Sequence, residues 1–202
     1  MELIGMLDSP YVRRAAISLR LLGIPFKHRS ISVFRNFDEF QRINPLVKAP
    51  TLVLDDGSLL TESGLIIDWA QTNSSRRALM PTDRADYTRA LRLVGIALAA
   101  SEKSVQIVYE HKRDPDKRDE GWMARVKGQL RAAYEKLERE LAGVDGWLFG
   151  NTPGQADISI AVAWGFSQLV VADVVDAAAY PTVQAFAERA EKHPDFAALP
   201  AT

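Results

Sequence analysis

Asn44-Pro45-Leu46-Val47-Lys48-Ala49-Pro50-Thr51-Leu52-Val53-Leu54-Asp55-Asp56-Gly57-Ser58-Leu59-Leu60-Thr61-Glu62-Ser63 is the stretch whose reading decides the fold. Proline cannot donate a ladder hydrogen bond, so Pro50 marks the first residue of a strand, ahead of the β-rich Thr51-Leu52-Val53-Leu54. Asp56-Gly57 between two apolar runs predicts a hairpin in which Leu59 and Leu60 return antiparallel. Thr61-Glu62-Ser63 then opens a helix. The first turn of a helix has unpaired N–H groups and partial positive charge, so the hairpin ends by aiming an anion site at its own edge.

Working upstream, residues 3–7 read as a short buried strand and Asp8-Ser9-Pro10 as the turn into a helix ending near Leu22. Ser9 suits the N-cap, and Pro10 suits the first helical position, where its missing N–H costs nothing. Gly23 ends that helix and Pro25 forbids resuming it. A second strand is predicted over residues 26–33 and a short helix over 37–43. With the hairpin and a helix over about 62–73, the order is β-α-β-α-β-β-α, the thioredoxin-like one.

Downstream, Asn73-Ser74-Ser75-Arg76-Arg77 breaks the periodic pattern, and Met80-Pro81-Thr82-Asp83 supplies a proline and a cap before the next helix. The expected division is an α/β domain over residues 1–75, a linker over 76–82 and an all-helical bundle domain over 83–202. Helices are predicted over about 83–110, 120–141, 155–173 and 182–192. Trp122, Val126, Leu130, Ala133, Leu137 and Leu141 recur at spacings of three and four, which assigns them to one buried face. Residues 111–120 form a charge-dense loop around Pro115.

Composition narrows the function classes. The chain has 202 residues and a formal net charge of -1, with Lys+Arg 25 against Asp+Glu 26. Such balance argues against a nucleic-acid or anionic-membrane partner. With Cys 0, disulfides, thiolate metal sites and cysteine nucleophiles are excluded together. His28, His111 and His193 are scattered without metal-ligand spacing, so no metal site is expected. No apolar run approaches the ~20 residues of a membrane span, and the N-terminus lacks a leader pattern. A cytoplasmic location is expected by default.

Asn-Pro-x-x-Lys-x-Pro, a short hairpin and Glu-Ser at a helix start resemble the glutathione-binding half of cytosolic glutathione S-transferases. In the second domain, Gly150-Asn151-Thr152-Pro153-Gly154-Gln155-Ala156-Asp157-Ile158 resembles that family's buried helix start, with Asp157 bonding back to the cap and Pro153 facing Ile158. Gly154 departs from the family's Ser or Thr, so half of the capping box is lost. Matching segments run from Ser9 to Phe196. The resemblance implies a cis bond before Pro50, backbone pairing of Ala49 with the cysteinyl unit of glutathione, and Glu62 and Ser63 at its γ-glutamyl end. Lys48 matches a position often filled by lysine, and Val47 departs from the glycine usual beside it.

The resemblance also implies the chemistry. In the Ser-type branch, a serine at the start of the first helix hydrogen-bonds the glutathione sulfur and favours its thiolate; Ser9 occupies the matching place. Catalysis at Ser9, and glutathione as co-substrate at Lys48, Ala49, Pro50, Glu62 and Ser63, are therefore the expected roles. The implied reaction is attack of the thiolate on a small hydrophobic electrophile, in a homodimer without a metal. Taken singly, each residue has a plainer reading: Ser9 is an ordinary N-cap, and Glu62 and Ser63 a first-turn acid and cap. Tyr11 is the weaker alternative for the sulfur contact, and Arg13 is read as structural. A non-catalytic interaction module on the same fold, or another glutathione-dependent reaction such as peroxide reduction, isomerisation or dehalogenation, stays open.

Overall fold

The computed structural model describes residues 1–76 and 78–201. Residue 77, within the expected linker, and residue 202, at the end of the expected second domain, lie outside the described residues. The chain forms two compact units, residues 1–79 with 193–202, and residues 80–192.

In the first unit the elements run β1 (Glu2–Ile4), α1 (Pro10–Leu21), β2 (Lys27–Arg29), α2 (Phe37–Ile43), β3 (Thr51–Val53), β4 (Leu59–Thr61) and α3 (Ser63–Thr72). This is the thioredoxin-like order expected. The sheet order is β2-β1-β3-β4, with β1 parallel to β2 and antiparallel to β3, and β3 antiparallel to β4. Asp56-Gly57 makes the turn as anticipated: Leu54 N–H donates to Ser58 O at 2.9 Å, and Gly57 takes φ 85.

Two strands are shorter than expected. β1 stops at Ile4 because Gly5 turns away at φ 135, and a Cβ there would fall 2.6 Å from Val12 Cγ2. β2 stops at Arg29 because the chain bends at Ser32, whose hydroxyl accepts the N–H groups of Phe34 and Arg35 at 3.2 Å each. Ile31 leaves the ladder to join Ile4 and Phe40 in a buried cluster, with Val33, Ile43, Val47, Ala49 and Val53 against it. Side chains alternate faces along a strand, so Leu3 and Leu52 lie on the opposite face from that cluster.

The second unit holds α4 (Arg84–His111), α5 (Glu120–Leu141), α6 (Gln155–Val170) and α7 (Pro181–Glu191). Asp83 caps α4, accepting from Ala85 and Asp86. α6 is buried along nearly its whole first three turns and packs against α4 and α7. Tyr134 OH donates to Ala163 O at 2.9 Å and meets Ser167 Oγ at 2.6 Å, which satisfies a phenol buried in an apolar core. The capping half-box at α6 forms as read: Gly154 N–H donates to Asp157 Oδ2 at 2.8 Å.

The α5 face requires a correction. Val126, Leu130, Ala133, Leu137 and Leu141 are buried, but Trp122 is 41% exposed, and Met123 and Tyr134 take the interior instead. At about 100° per residue, Met123, Tyr134 and Leu141 share one flank of the Val126 stripe, whereas Trp122 falls on the far rim. A spacing of four admits both flanks, and packing chose one.

The last short helix, α8 (Pro194–Ala197), belongs to the first unit and not with the helices preceding it. Arg13 Nε donates to Leu199 O at 2.8 Å, and Arg20 Nε meets Asp195 Oδ1 at 3.1 Å, so α1 ties the end of the chain to itself. Buried Arg13 is thus structural.

Candidate functional site

Register brings the expected site residues to one end of the sheet. Ile4 pairs with Thr51, and Thr51 pairs with Thr61, so these three residues form one row across β1, β3 and β4. The chain leaving Ile4 reaches Ser9; the chain entering Thr51 carries Lys48-Ala49-Pro50; the chain leaving Thr61 is Glu62-Ser63. Three segments distant in sequence therefore share one rim. The approach is close: a Cβ on Gly5 would stand 3.1 Å from Ala49 Cβ. A cleft lined by Met1, Ile24, Pro25, Leu54, Trp69 and Asn73 opens at the opposite end of the sheet, away from all of these residues.

Ser9 is the N-cap of α1, with Pro10 at the first helical position. Its hydroxyl accepts Val12 N–H at 3.5 Å, the outer limit for such a bond, so the helix engages it weakly. Ser9 is half-buried.

The peptide bond between Ala49 and Pro50 is cis. Pro50 is buried, Ala49 partly so, and Lys48 exposed. Val47, which departs from the glycine usual at that place in the family the chain resembles, adopts φ 46, in the region that favours glycine.

Glu62 and Ser63 divide the start of α3 differently from the plainer reading. Glu62, not Ser63, is the cap: at φ 75 its Oε2 accepts the N–H groups of Gly64 at 2.9 Å and Leu65 at 3.2 Å. Burial raises its carboxyl, but those two N–H groups, the Ser63 hydroxyl and Arg14 outweigh it and hold the pKa below the ordinary value. Two of the amides expected to await an anion, those of Gly64 and Leu65, are thus taken by the chain's own carboxylate.

Ser63 is buried, and its hydroxyl sits between charges, donating to Glu62 Oε1 at 3.1 Å and accepting from Arg14 Nη1 at 2.8 Å. Arg14 is the residue sequence reasoning missed. Burial lowers its pKa to about 10 even though Glu62 and Tyr11 raise it. One signal was available: α1, Pro-Tyr-Val-Arg-Arg-Ala-Ala-Ile-Ser-Leu-Arg-Leu, contains two adjacent arginines and no acid, so both had to find partners elsewhere in the chain. Tyr11 is half-buried at the start of the same helix.

Among the described residues no cluster of His, Asp or Glu has metal-binding geometry, and no helix is long and apolar enough to cross a membrane.

Comparison with known proteins bears on the family and the fold. A model of the glutathione S-transferase N-terminal domain matches residues 3–78, and one of the glutathione S-transferase C-terminal domain matches residues 120–201. The chain is similar to a Methylobacterium radiotolerans glutathione S-transferase solved with glutathione sulfonate, at TM-score 0.90 and 26% identity over 100% of this chain and 95% of that one. It is similar to a Pseudomonas fluorescens Pf-5 glutathione transferase family member with bound glutathione, at TM-score 0.83 and 27% identity over 100% and 98%. By sequence it is 28% identical to the maleylacetoacetate isomerase of Pseudomonas aeruginosa, over 91% of this chain and 87% of that protein. It is also 28% identical to the uncharacterized GST-like protein YibF of Escherichia coli, over 82% and 81%.

Proposed function

The chain belongs to the glutathione S-transferase family, and we propose that it binds glutathione along the rim of its first unit and activates the thiol at Ser9. The observation that carries this reading is the row Ile4, Thr51 and Thr61, which delivers Ser9, cis Ala49-Pro50 and Glu62-Ser63 to the same place. The extended tripeptide pairs its cysteinyl backbone with Ala49 beside Pro50. Its γ-glutamyl ammonium meets Glu62, and its α-carboxylate meets Ser63. Lys48 lies on the exposed side of the same segment.

Ser9 then donates to the sulfur. A free thiol titrates near ~8.5, and a site that lowers it by about two units must favour the anion by roughly 2.7 kcal/mol. One hydrogen bond to a charged group contributes about 1.5–3 kcal/mol, and a helix N-terminus about 0.3–1. Ser9 with α1 behind it suffices, and because Ser9 Oγ only accepts in its contact with Val12 N–H, that contact does not use the O–H that donates to sulfur. The thiolate attacks a small hydrophobic electrophile, and Ser9 acts as donor, not as base. A homodimer is part of the reading, by analogy with the family. Calorimetry with glutathione and conjugation of 1-chloro-2,4-dinitrobenzene test it. An absence of binding at millimolar glutathione would rule it out.

A second reading is favoured by one observation, the likeness to a maleylacetoacetate isomerase over most of both chains. The same thiolate would add reversibly to a cis double bond, allow rotation, and leave. Turnover of maleylacetoacetate in the presence of glutathione, without a stable conjugate, would select isomerisation over transfer.

A further inference from the structure

β2, Lys27-His28-Arg29, is an edge strand exposed at every residue, so its side chains add little to the core. His28 nevertheless makes a short, specific contact: its Nε2 lies 2.7 Å from Gly5 O. A carbonyl only accepts, so the ring carries a proton on Nε2 and donates it. Arg29, the next residue, accepts Gly5 N–H through its own carbonyl at 3.1 Å. Two consecutive residues of β2 thus hold both polar groups of Gly5.

Gly5 is a hinge that needs holding. Glycine has no side chain to limit its dihedrals, and at φ 135 nothing intrinsic to the residue keeps it in place. It also lies at a seam: a Cβ there would meet Val12 Cγ2, on the first turn of α1, at 2.6 Å and Ala49 Cβ, beside the cis bond, at 3.1 Å. The direction of the Gly5 carbonyl sets the course of Met6-Leu7-Asp8 into Ser9. Within that turn Ser9 N–H donates to Met6 O at 3.1 Å, a bond that shapes the turn without tying it to the sheet. Arg35 Nη2 meets Met6 Sδ at 3.3 Å, but a thioether is a weak acceptor. The firm tie to the sheet runs through Gly5.

Resting on the reading of Ser9 as the donor to the glutathione sulfur, we propose that His28 is a positioning residue for that reaction: its hydrogen bond to Gly5 O fixes the turn between β1 and α1, and with it the placement of the Ser9 hydroxyl at the sulfur. An oriented donor loses much of its effect when it is displaced by about an ångström. His28 acts through Gly5 and not on the ligand. The residues that hold the tripeptide itself in that reading, Ala49, Glu62 and Ser63, enter from β3 and β4, so affinity rests on other elements. Loss of the contact should therefore be felt at the sulfur and not in binding.

The test compares wild type, His28→Ala and His28→Gln as full chains. Glutamine is the conservative variant, because its side-chain amide offers an N–H at a reach close to that of Nε2. The readouts are glutathione affinity by calorimetry, ultraviolet titration of the bound thiol, and turnover of 1-chloro-2,4-dinitrobenzene; the titration reads the contact without an electrophile. One neutral hydrogen bond corresponds to about 2- to 12-fold, so His28→Ala should lower kcat by that factor and raise the thiol pKa of bound glutathione by about 0.3–1 unit. Affinity measured below that pKa, where sulfur stays protonated, should change by less than about 2-fold. His28→Gln should recover most of both losses. Affinity that falls as far as turnover in His28→Ala would make His28 a general support of the fold and overturn the inference. So would an unchanged thiol pKa and turnover, or a glutamine variant no better than the alanine one. A wild type that binds no glutathione would instead bring down the reading of the site, and this inference with it.

Discussion

The side-chain amide of Asn44 donates to the hydroxyl of Thr51 at 2.8 Å, and that hydroxyl donates onward to the carbonyl of Lys48 at 2.7 Å. Both side chains are buried, Asn44 at 2% exposure and Thr51 at 0%. Asn44 Oδ1 also accepts Leu46 N–H at 3.0 Å, and Asn44 O accepts Val47 N–H at 2.9 Å. One asparagine thus holds both ends of the loop that carries Lys48-Ala49-Pro50.

Removing either member of this clamp leaves a buried polar group unpaired, which costs about 1–3 kcal/mol. Thr51→Val and Asn44→Ala should each lose that much in urea unfolding. Each should also weaken glutathione binding, since the backbone of Ala49 is what the clamp positions. Affinity unchanged in a destabilised Thr51→Val would separate the loop from the ligand site.

Val47 tests how much strain the same loop carries. A β-branched residue at φ 46 is an outlier, disfavoured by roughly 1–2 kcal/mol, yet its side chain packs on the Ile4, Ile31 and Phe40 cluster. Glycine is ordinarily worse than alanine by about 0.5–1 kcal/mol. Here the order should invert, with Val47→Gly unfolding at higher urea than Val47→Ala, because only glycine removes the left-handed penalty.

These residues mark the boundary of what the sequence discloses. Pro50, Asp56-Gly57 and Ser9-Pro10 act within a few residues of themselves, through a missing N–H, a positive φ or a cap, so their roles were legible. The pairing of Ile4, Thr51 and Thr61 was legible only as a consequence of element order. Arg14 with Ser63, and Asn44 with Thr51, are side-chain contacts set by how α1, α3 and the loop pack, and no local pattern encodes them. Trp122 was misplaced for the same reason: periodicity gives a stripe, while neighbouring helices decide its centre. The position of α8 follows from Arg13 and Arg20, two charges that helical periodicity alone would send to solvent or leave unassigned.

Ser9→Ala separates capping from catalysis. A cap bond at 3.5 Å is worth less than the ordinary ~1 kcal/mol, so the loss in stability should stay below about 0.5 kcal/mol. Turnover should fall far more, by about 10- to 150-fold, with glutathione affinity little changed, because the contact strengthens as charge develops on sulfur. The thiol pKa of bound glutathione should rise toward its free value. Unchanged turnover would move the sulfur contact to Tyr11 or to backbone donors.

Glu62 and acid stability are linked with a definite sign. Its folded pKa lies below the unfolded value of about 4.3, so its contribution is fully present above that pH. That contribution is lost as the pH falls through the lowered folded value, where protonation releases Gly64 and Leu65 N–H. Glu62→Gln should remove this component of the acid limb in a stability–pH profile. It should also weaken glutathione binding at neutral pH, where the fold is intact.

Asp157 runs the other way. Fully buried, it accepts Leu148 N–H at 2.9 Å through Oδ1 and Gly154 N–H at 2.8 Å through Oδ2, fixing the turn into α6. Burial raises its pKa in spite of those bonds and of Arg189. A folded pKa above the unfolded value of about 3.9 means the folded state holds its proton longer. Stability from this group is greatest below about 3.9 and declines as the pH rises through the raised folded value, then stays flat. Asp157→Asn keeps one acceptor but turns an amide donor toward the other N–H, at a cost of about 1–3 kcal/mol. Because the variant does not titrate there, the gap between wild type and Asp157→Asn should narrow as the pH rises across that window. A gap that widens instead would mean that the two N–H groups outweigh burial and that the carboxylate is the favoured form.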